Sequence, residues 1–258
     1  MGYPPLKITF LGTGTSSGVP MIACDCEVCT SKDKKDNRLR SSILVESPTT
    51  TLVVDSTPDF RYQMLRAEVK KLDAVLFTHS HKDHIAGLDD IRAFNFFQGQ
   101  SMFVYANEMT MKELKREFQY AFADHKYPGV PDIKTVTIAN TPFVIGDIPV
   151  TPIIVWHLKM QVYGFRFGNF TYITDANRIE EEERLKIIGS DTIVLNALRK
   201  EKHISHFNLD EATEVVSQLK IPNAYFTHIS HQLGRHQAVE EHLPPGMHLA
   251  YDKLTLHF

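Results

Sequence analysis

Residues 78–84 read THSHKDH, the densest set of metal-ligand side chains in the chain. An apolar run precedes it and an apolar pattern of helical period follows it, so the stretch covers a turn from a strand to a helix. Residues two apart in an extended segment share a face, which lets His79 and His81 point toward one metal ion. At the turn itself, Asp83 and His84 can be directed to a second ion. Imidazole and carboxylate together suit zinc, manganese or iron.

Length and composition limit the classes of protein that could carry this stretch. The chain has 258 residues, 43% apolar side chains and a formal net charge of −3, which suits a globular fold and excludes wholesale disorder. The near-balanced charge argues against a surface built to neutralise long nucleic acids. No run approaches the ~18 apolar residues of a membrane span, and residues 1–5 do not resemble a signal peptide. We therefore expect a soluble cytoplasmic protein.

The chain is predicted to form a single domain over residues 1–258. Strand patterns occur in both halves with helices between them, the two longest helices being Ile85–Phe97 and Asn107–Phe122, which indicates sheets covered by helices. The predicted strands are Leu6–Leu11, Ser42–Glu46, Thr51–Asp55, Ala74–Phe77, Met102–Tyr105, Val150–Trp156, Val162–Phe167, Thr171–Thr174, Thr192–Leu195, Ala224–Thr227 and Leu254–Phe258. Glycines within residues 12–18 superficially resemble a dinucleotide-binding loop, but their spacing and the cysteines that follow argue against one. Residues 31–40 are polar and charged and are predicted to be an exposed loop.

The stretch at residues 78–84 resembles the His-x-His-x-Asp-His signature of the metallo-β-lactamase superfamily. The resemblance implies an α/β (α+β) fold, a four-layer αββα sandwich of two mixed β-sheets flanked by helices, with the metals at the sheet edges. It also implies later ligands, and the sequence has a candidate after each of three later β-like runs. By analogy, one ion takes His79, His81 and His157, the other takes Asp83, His84 and His228, and Asp175 lies between them.

The three cysteines of the chain, Cys24, Cys26 and Cys29, lie within six residues. An odd number so closely spaced cannot form a disulfide framework, whereas cytosolic thiolates at this spacing typically bind a metal. A tetrahedral zinc needs a fourth ligand, and His231 lies three residues beyond His228. The pattern predicts a closed structural zinc site that ties the loop after the first strand to the C-terminal part. A reduced, solvent-facing thiol cluster is the alternative.

The cysteine set, paired with a late His-x-x-His, narrows the resemblance. The chain is similar over nearly its whole length to the PhnP-like phosphodiesterases, typified by phosphoribosyl 1,2-cyclic phosphate phosphodiesterase. The similar stretches include LGTGTSSG at residues 11–18, RLRSS at residues 38–42 and DDIR at residues 89–92.

The same resemblance implies roles for residues beside the metals. His206 is suited to hold the scissile phosphate or to protonate the leaving oxygen, with His203 as the local competitor. Asp83 can orient the attacking hydroxide as well as bind metal. Asp55 matches a recurring acid of the superfamily and is assigned to orient a ligand histidine, the alternative being an Asp that only forms a turn.

The expected reaction is hydrolysis of one P–O bond in a small or cyclic phosphodiester by metal-activated water. It would use two divalent active-site ions, zinc or manganese, which lower the pKa of a shared water and neutralise phosphate oxygens. Arg38, Arg40 and Arg92 are candidate phosphate contacts, and a solvated surface is the alternative for each. The expected partner is a small phosphodiester rather than a long nucleic acid or a membrane. A homodimer is expected only by family analogy.

Other functions share these metals. A tRNA 3′-processing nuclease would have a histidine like His206 but needs a basic RNA-gripping arm, which is not visible. A non-hydrolytic relative resembling PqqB, or a metal-stabilised binding protein, is opposed by the complete set of ligand positions. A β-lactamase would be exported, a flavodiiron-type reductase usually has a glutamate where His81 stands, and a glyoxalase-type thioesterase has no reason to carry the cysteines.

Overall fold

Two seven-stranded β-sheets flanked by helices make up the part of the chain that the computed structural model describes, residues 3–123, 125 and 127–258. Met1 and Gly2, on which part of the signal-peptide prediction depends, lie outside these residues. The strands are β1 Lys7–Gly12, β2 Ser42–Glu46, β3 Thr51–Val54, β4 Ala74–Leu76, β5 Met102–Ala106, β6 Ile133–Thr137, β7 Phe143–Ile145, β8 Ile148–His157, β9 Met160–Phe167, β10 Phe170–Tyr172, β11 Thr192–Asn196, β12 Asn223–Thr227, β13 Met247–Leu249 and β14 Thr255–His257.

Eight α-helices and three short 3-10 helices connect the strands within the described residues. The α-helices are α1 Phe60–Arg66, α2 Lys82–Ile85, α3 Arg92–Gln98, α4 Glu108–Glu117, α5 Gln119–Phe122, α6 Glu181–Ile187, α7 Leu209–Leu219 and α8 His236–Glu240, and the 3-10 helices are Lys34–Asp36, Leu88–Ile91 and His231–Leu233. None of the helices in the described part of the chain is long and apolar enough to cross a membrane.

Both sheets are mixed and follow the same pattern of pairing. The first has the order β14-β1-β2-β3-β4-β5-β6 and the second the order β13-β12-β11-β10-β9-β8-β7. In the first, the pairs up to β2–β3 are antiparallel and the rest parallel. In the second, the pairs from β7 to β10 are antiparallel and the rest parallel. Because neighbouring parallel strands end at the same edge, the loops that follow β3, β4, β10, β11 and β12 are brought together.

Three apolar clusters separate four layers. The inner cluster joins the two sheets and includes Phe10 of β1 and Phe165 of β9. An outer cluster packs α1 to α5 on the first sheet, and another packs α6 to α8 on the second, with Phe60 and Val216 as fully buried examples. Each such side chain contributes roughly 1.5–3 kcal/mol when it leaves water. The four-layer αββα sandwich of two mixed sheets is therefore confirmed.

The two longest predicted helices are interrupted. The segment predicted as helix Ile85–Phe97 turns at Gly87, where an added Cβ would lie 2.2 Å from the Thr57 carbonyl oxygen and 2.5 Å from Phe60 Cβ. This close approach to the loop after β3 separates α2 from the 3-10 turn and α3. Asn107–Phe122 divides at Phe118, whose φ of −114° and ψ of 40° are not helical.

Three strands were missed by the sequence patterns, namely β6, β7 and β13. Each lies at an end of a sheet, where a strand has a neighbour on only one side. Edge strands pack less side-chain surface, and β6 accordingly keeps three of its five residues exposed. The alternation of apolar and polar residues that marks a half-buried strand is correspondingly weak there.

Candidate metal centre

The THSHKDH stretch turns three imidazoles toward one point after β4. Residues up to His81, whose ψ is 150°, are extended, and α2 begins at Lys82. The ring centroid of His79 lies 4.6 Å from that of His81 and 4.2 Å from that of His84. His79 and His84 are fully enclosed while His81 is exposed. One side of this cluster is therefore open to a ligand from solvent.

Asp175 lies at the middle of the cluster, in the loop that follows β10. Its Oδ1 is 3.2 Å from His228 Nδ1 and 3.4 Å from His84 Nε2, whereas its Oδ2 is 3.8 Å from His79 Nε2. Its carboxylate is common to three groups whose ligand atoms lie within 4.8 Å of one another: Asp83, His84, Asp175 and His228; His79, His81 and Asp175; and His157, Asp175 and His206. All seven predicted ligands are thus brought together around one carboxylate.

His157 and His206 complete the cluster from two different segments. The ring of His157, the last residue of β8, lies 5.1 Å from the ring of His81 and 4.5 Å from that of His206. His206 is 9% exposed and its ring stacks on His228 at 4.9 Å. His203 lies behind it, with its ring 5.2 Å from that of His206. Of the two candidate acids, His206 is the one in contact with the predicted ligands.

Asp55 and Thr78 hold two of the imidazoles. Asp55 Oδ1 accepts from the Thr78 backbone N–H at 2.9 Å, and its Oδ2 accepts from His84 Nδ1–H and the Thr78 hydroxyl, each at 2.8 Å. The Thr78 oxygen in turn accepts from His79 Nδ1–H at 2.9 Å. Both rings therefore direct Nε2 into the cluster, which is the usual support of a metal-binding histidine. Asp55 lies where its assignment requires, and Thr78 was missed.

The backbone carries strain at three of these positions. Asp55, Asp175 and His228 have φ values of 66°, 59° and 56°. Residues other than glycine are uncommon in this left-handed region, where each costs about 1–2 kcal/mol, and such residues cluster at functional sites. Each of the three follows a strand end, so the strained turn aims its side chain across the sheet edge into the cluster.

The charges of the cluster favour a cation. Burial opposes ionisation of Asp175, yet neighbouring His228 and His84 hold the pKa of this carboxyl well below its usual range. Burial likewise opposes protonation of His84, but the surrounding carboxylates raise the pKa of this imidazole well above its ordinary value. Burial, with the charge of His84, lowers the pKa of His79. The ionised carboxylate of Asp175 beside the neutral imidazole of His79 attracts positive charge.

The donor atoms also fit metal ions. Nε2 of His79 and Nε2 of His84 are buried and have no hydrogen-bond partner among the residues that the structure describes. A buried polar atom without a hydrogen-bond partner lowers the free energy of unfolding by about 1–3 kcal/mol. Coordination of a metal ion by these nitrogens would recover that loss. Imidazole nitrogens with carboxylate oxygens form a donor set for zinc or manganese. The fold and this donor set together indicate a site for divalent metal ions.

The cysteines meet His231 in a second cluster. The Sγ atoms of Cys24 and Cys26 lie 3.4 and 3.3 Å from His231 Nδ1, and one ligand atom from each of the four residues lies within 4.8 Å of the others. The Cys29 backbone N–H, with His231, lowers the pKa of Cys26 to about 6, whereas burial raises the pKa of Cys29 to about 11. Three sulfurs and one nitrogen match the donors of a structural zinc.

The three candidate arginines have partners within the protein. Arg38 is 4% exposed and donates to Thr13 Oγ1 at 2.9 Å. The prediction that residues 31–40 form an exposed loop is therefore wrong at this position and also at Asp36, which is 3% exposed. The Arg38 side chain ties that loop to the buried C-terminal part of the chain, where it also donates to the Ala250 carbonyl. Arg40 pairs with Asp59 at 3.0 Å and Arg92 with Asp89 at 3.2 Å.

Comparisons with known proteins agree with this architecture. Residues 50–229 match the Beta-lactamase superfamily domain. The crystal structure of a new diphosphatase from the PhnP family superposes with a TM-score of 0.92 and 39% identity, covering 98% of this chain and 97% of that one.

Two curated relatives have names that describe functions other than that of a diphosphatase. An octanoyltransferase of Porphyromonas gingivalis is 34% identical over 252 residues, which is 96% of this chain and 51% of that protein. The coenzyme PQQ synthesis protein B of Methylorubrum extorquens is 30% identical over 236 residues, 74% of this chain and 72% of that protein. This chain therefore spans about half the length of the octanoyltransferase.

Proposed function

The chain belongs to the metallo-β-lactamase superfamily and, within it, to the PhnP family, and we propose that this metallo-β-lactamase-fold hydrolase cleaves one P–O bond of a small phosphodiester. One observation carries the proposal. His206 adds a buried imidazole beside His157 and Asp175 that is not one of the seven ligands implied by the family resemblance, and its Nδ1 has no hydrogen-bond partner within the described residues. An imidazole that lies beside a metal centre, and that neither ion needs as a ligand, is available to contact the substrate.

We assign the ligands to two divalent ions. Asp175 would serve both, because its two oxygens face different histidines. When bound, two such ions would lower the pKa of a water molecule and offset the negative charge of the phosphate oxygens. As the family resemblance implies, the first ion would be held by His79, His81 and His157, whose ring centroids lie 4.6, 6.0 and 5.1 Å apart. The second would be held by Asp83, His84 and His228.

Side chains on the solvent-open side of the cluster would donate a proton to the leaving group and orient the attacking water. A phosphodiester expels an alkoxide, a strong base that needs a proton as it leaves. His206 would donate an N–H to that oxygen or to the phosphate. Asp83, at the start of α2 and with 13% of its side chain exposed, would accept a hydrogen bond from the attacking water and so orient it.

A diphosphate is the second candidate substrate, because a PhnP-family relative is a diphosphatase. Its leaving group is a phosphate, which is a much weaker base than an alkoxide and departs without a proton. His206 would then contribute little to the rate. Because the His206 imidazole is in position to donate a proton, we favour the diester. An experiment can distinguish the two substrates by how strongly the hydrolysis rate of each depends on His206.

Three other functions have weaker support. The similarity to coenzyme PQQ synthesis protein B supports a role without hydrolysis. The name octanoyltransferase describes a protein about twice as long as the aligned part, and a His/Asp cluster fits hydrolysis better than acyl transfer. A tRNA-processing nuclease needs a basic surface, whereas the chain has net charge −3.

Hydrolysis of bis(p-nitrophenyl) phosphate should require a divalent metal. We expect turnover with manganese or zinc, loss to background after EDTA treatment, and recovery when the metal is returned, since the ligand atoms alone supply no Lewis acid. The release of p-nitrophenolate is followed by absorbance. If the metal-loaded protein cleaves neither this diester, nor a cyclic phosphodiester, nor a diphosphate, the proposed function is wrong.

We further propose that Cys24, Cys26, Cys29 and His231 hold one structural zinc. The supporting observation is that this cluster bridges the loop after β1 and the segment after β12, two parts of the chain more than 200 residues apart. Ile229, between His228 and His231, donates its backbone N–H to the Thr13 carbonyl at 2.9 Å. A zinc there would fasten the segment that carries His228.

Cys26→Ser should remove about one zinc per chain and lower Tm by roughly 5–10 °C. In a chain of this size, each 1 kcal/mol lost from the free energy of unfolding lowers Tm by about 2–4 °C. Metal analysis and thermal unfolding measure both effects, and Ser31→Ala in the same loop is the control. The two active-site ions should remain. Loss of an active-site ion with the cysteine site still filled would contradict the assignment.

A further inference from the structure

The side-chain amide of Asn177 joins the two segments that carry His157 and His206. Its Oδ1 accepts from the backbone N–H of Leu158 at 2.9 Å, and its Nδ2 donates to the carbonyl of Ile204 at 3.0 Å. Leu158 directly follows His157, and Ile204 lies two residues before His206. One planar group therefore spans the turn between β8 and β9 and the loop between β11 and α7.

The same two segments meet again at His157. Its Nδ1–H donates to the carbonyl of Ser205 at 2.8 Å, so the orientation of the His157 ring depends on where the His206 loop lies. Leu158 has a left-handed φ of 57°, a conformation that costs a leucine about 1–2 kcal/mol. The hydrogen bond to Asn177 holds that strained residue in place.

Asn177 is itself anchored close to the centre of the cluster. It lies two residues beyond Asp175, and its backbone N–H donates to the Trp156 carbonyl at 2.8 Å. Both polar atoms of its amide are already engaged, Oδ1 by Leu158 and Nδ2 by Ile204. We therefore expect this side chain to act on the reaction through the segments that it holds.

We propose that Asn177 is a positioning residue that sets the distance between His206 and the metal centre, and thereby aims His206 at the leaving oxygen. An amide is suited to this because it both accepts and donates, one bond to each segment. Loosening either bond would let the His206 loop move relative to His157. This inference rests on the proposed phosphodiester hydrolysis.

The test replaces Asn177 by Asp, which keeps the shape and the acceptor for Leu158 but cannot donate to Ile204. Two diesters are compared, bis(p-nitrophenyl) phosphate and the diester with an alkoxide leaving group that the wild type cleaves best among cyclic nucleotides and cyclic sugar phosphates. We expect kcat for the alkoxide substrate to fall about tenfold, as a misplaced catalytic group does. KM, and kcat for the aryl substrate, should change by less than about twofold, because p-nitrophenolate leaves without a proton.

A double-mutant cycle distinguishes positioning from a merely structural role. If Asn177 acts through His206, Asn177→Asp should change kcat by less than about twofold once His206→Ala is present, since coupled residues are not additive. Asn223→Asp is the matched control. Asn223 Nδ2 donates to the Asp191 carbonyl at 3.1 Å, its single hydrogen bond within the described residues, at the opposite end of β12.

Trp156, the only tryptophan of the chain, gives a readout that does not depend on activity. We expect acrylamide to quench its fluorescence more strongly in Asn177→Asp and Asn177→Ala than in the wild type or Asn223→Asp. If Asn177→Asp unfolds, Asn177→Ala must show the same selective loss with the alkoxide substrate. Equal losses with both leaving groups, additive losses in the cycle, or unchanged quenching overturn the positioning role. No turnover by the wild type overturns the proposed function and this role with it.

Discussion

Replacing Asp175 by Asn should lower kcat for phosphodiester hydrolysis by at least about a thousandfold, equivalent to about 4 kcal/mol of transition-state stabilisation. Asp175 is the one carboxylate common to the three groups of ligand atoms. An amide keeps its size but removes the negative charge and one of the two acceptor oxygens. The two ions that we assign to the centre should therefore lose their shared ligand, and the metal content should fall with the activity.

Asparagine is the better replacement than alanine because of the backbone. Asp175 has a left-handed φ of 59°, and asparagine is one of the few residues that adopts this region readily. The fold should consequently persist, which unfolding by circular dichroism checks. Asp191→Asn, a change of the same kind at the opposite end of the parallel strands, is the control. A variant that keeps both ions and more than a tenth of the wild-type kcat would contradict the bridging role.

The site residues that could be predicted from the sequence are those that come at or just after the end of a strand. A buried strand is visible as an apolar run, and the residue after it lies at the sheet edge, so His157, Asp175 and His228 could be located from the sequence and the family resemblance. The cysteine cluster was equally accessible, since three thiols within six residues have few structural uses. In both cases the residues are marked by their immediate neighbours in the chain, although the cysteines meet their fourth partner, His231, only in the fold.

The parts that could not be predicted depend on contacts between distant segments. Thr78 is adjacent to His79 in sequence, but its role is defined by Asp55, 23 residues away. Asn177 is an ordinary polar residue until the turn after His157 and the loop before His206 are placed on either side of it. Gly87 interrupts a good helical pattern only because the loop after β3 packs against it.

His206→Ala should reduce kcat with an alkoxide-leaving diester by about a hundredfold to ten-thousandfold, the usual contribution of a general acid. The ring of His206 stacks on His228 and lies 4.5 Å from that of His157, yet His206 is outside the two triads that we assign to the ions. Metal content should therefore stay at the wild-type value. His203→Ala is the comparison, because its ring lies beyond His206 and should matter much less.

The substrate dependence of this loss decides what the site hydrolyses. An alkoxide cannot leave without a proton, whereas p-nitrophenolate and phosphate can, so removal of a proton donor slows the first far more than the others. A loss confined to the alkoxide substrate supports the diester proposal. An equal loss with all three would mean that His206 binds the phosphate rather than the leaving oxygen. If instead the diphosphate is cleaved fastest and His206→Ala leaves that rate unchanged, the diphosphate is the better description of the substrate, and His206 has another use.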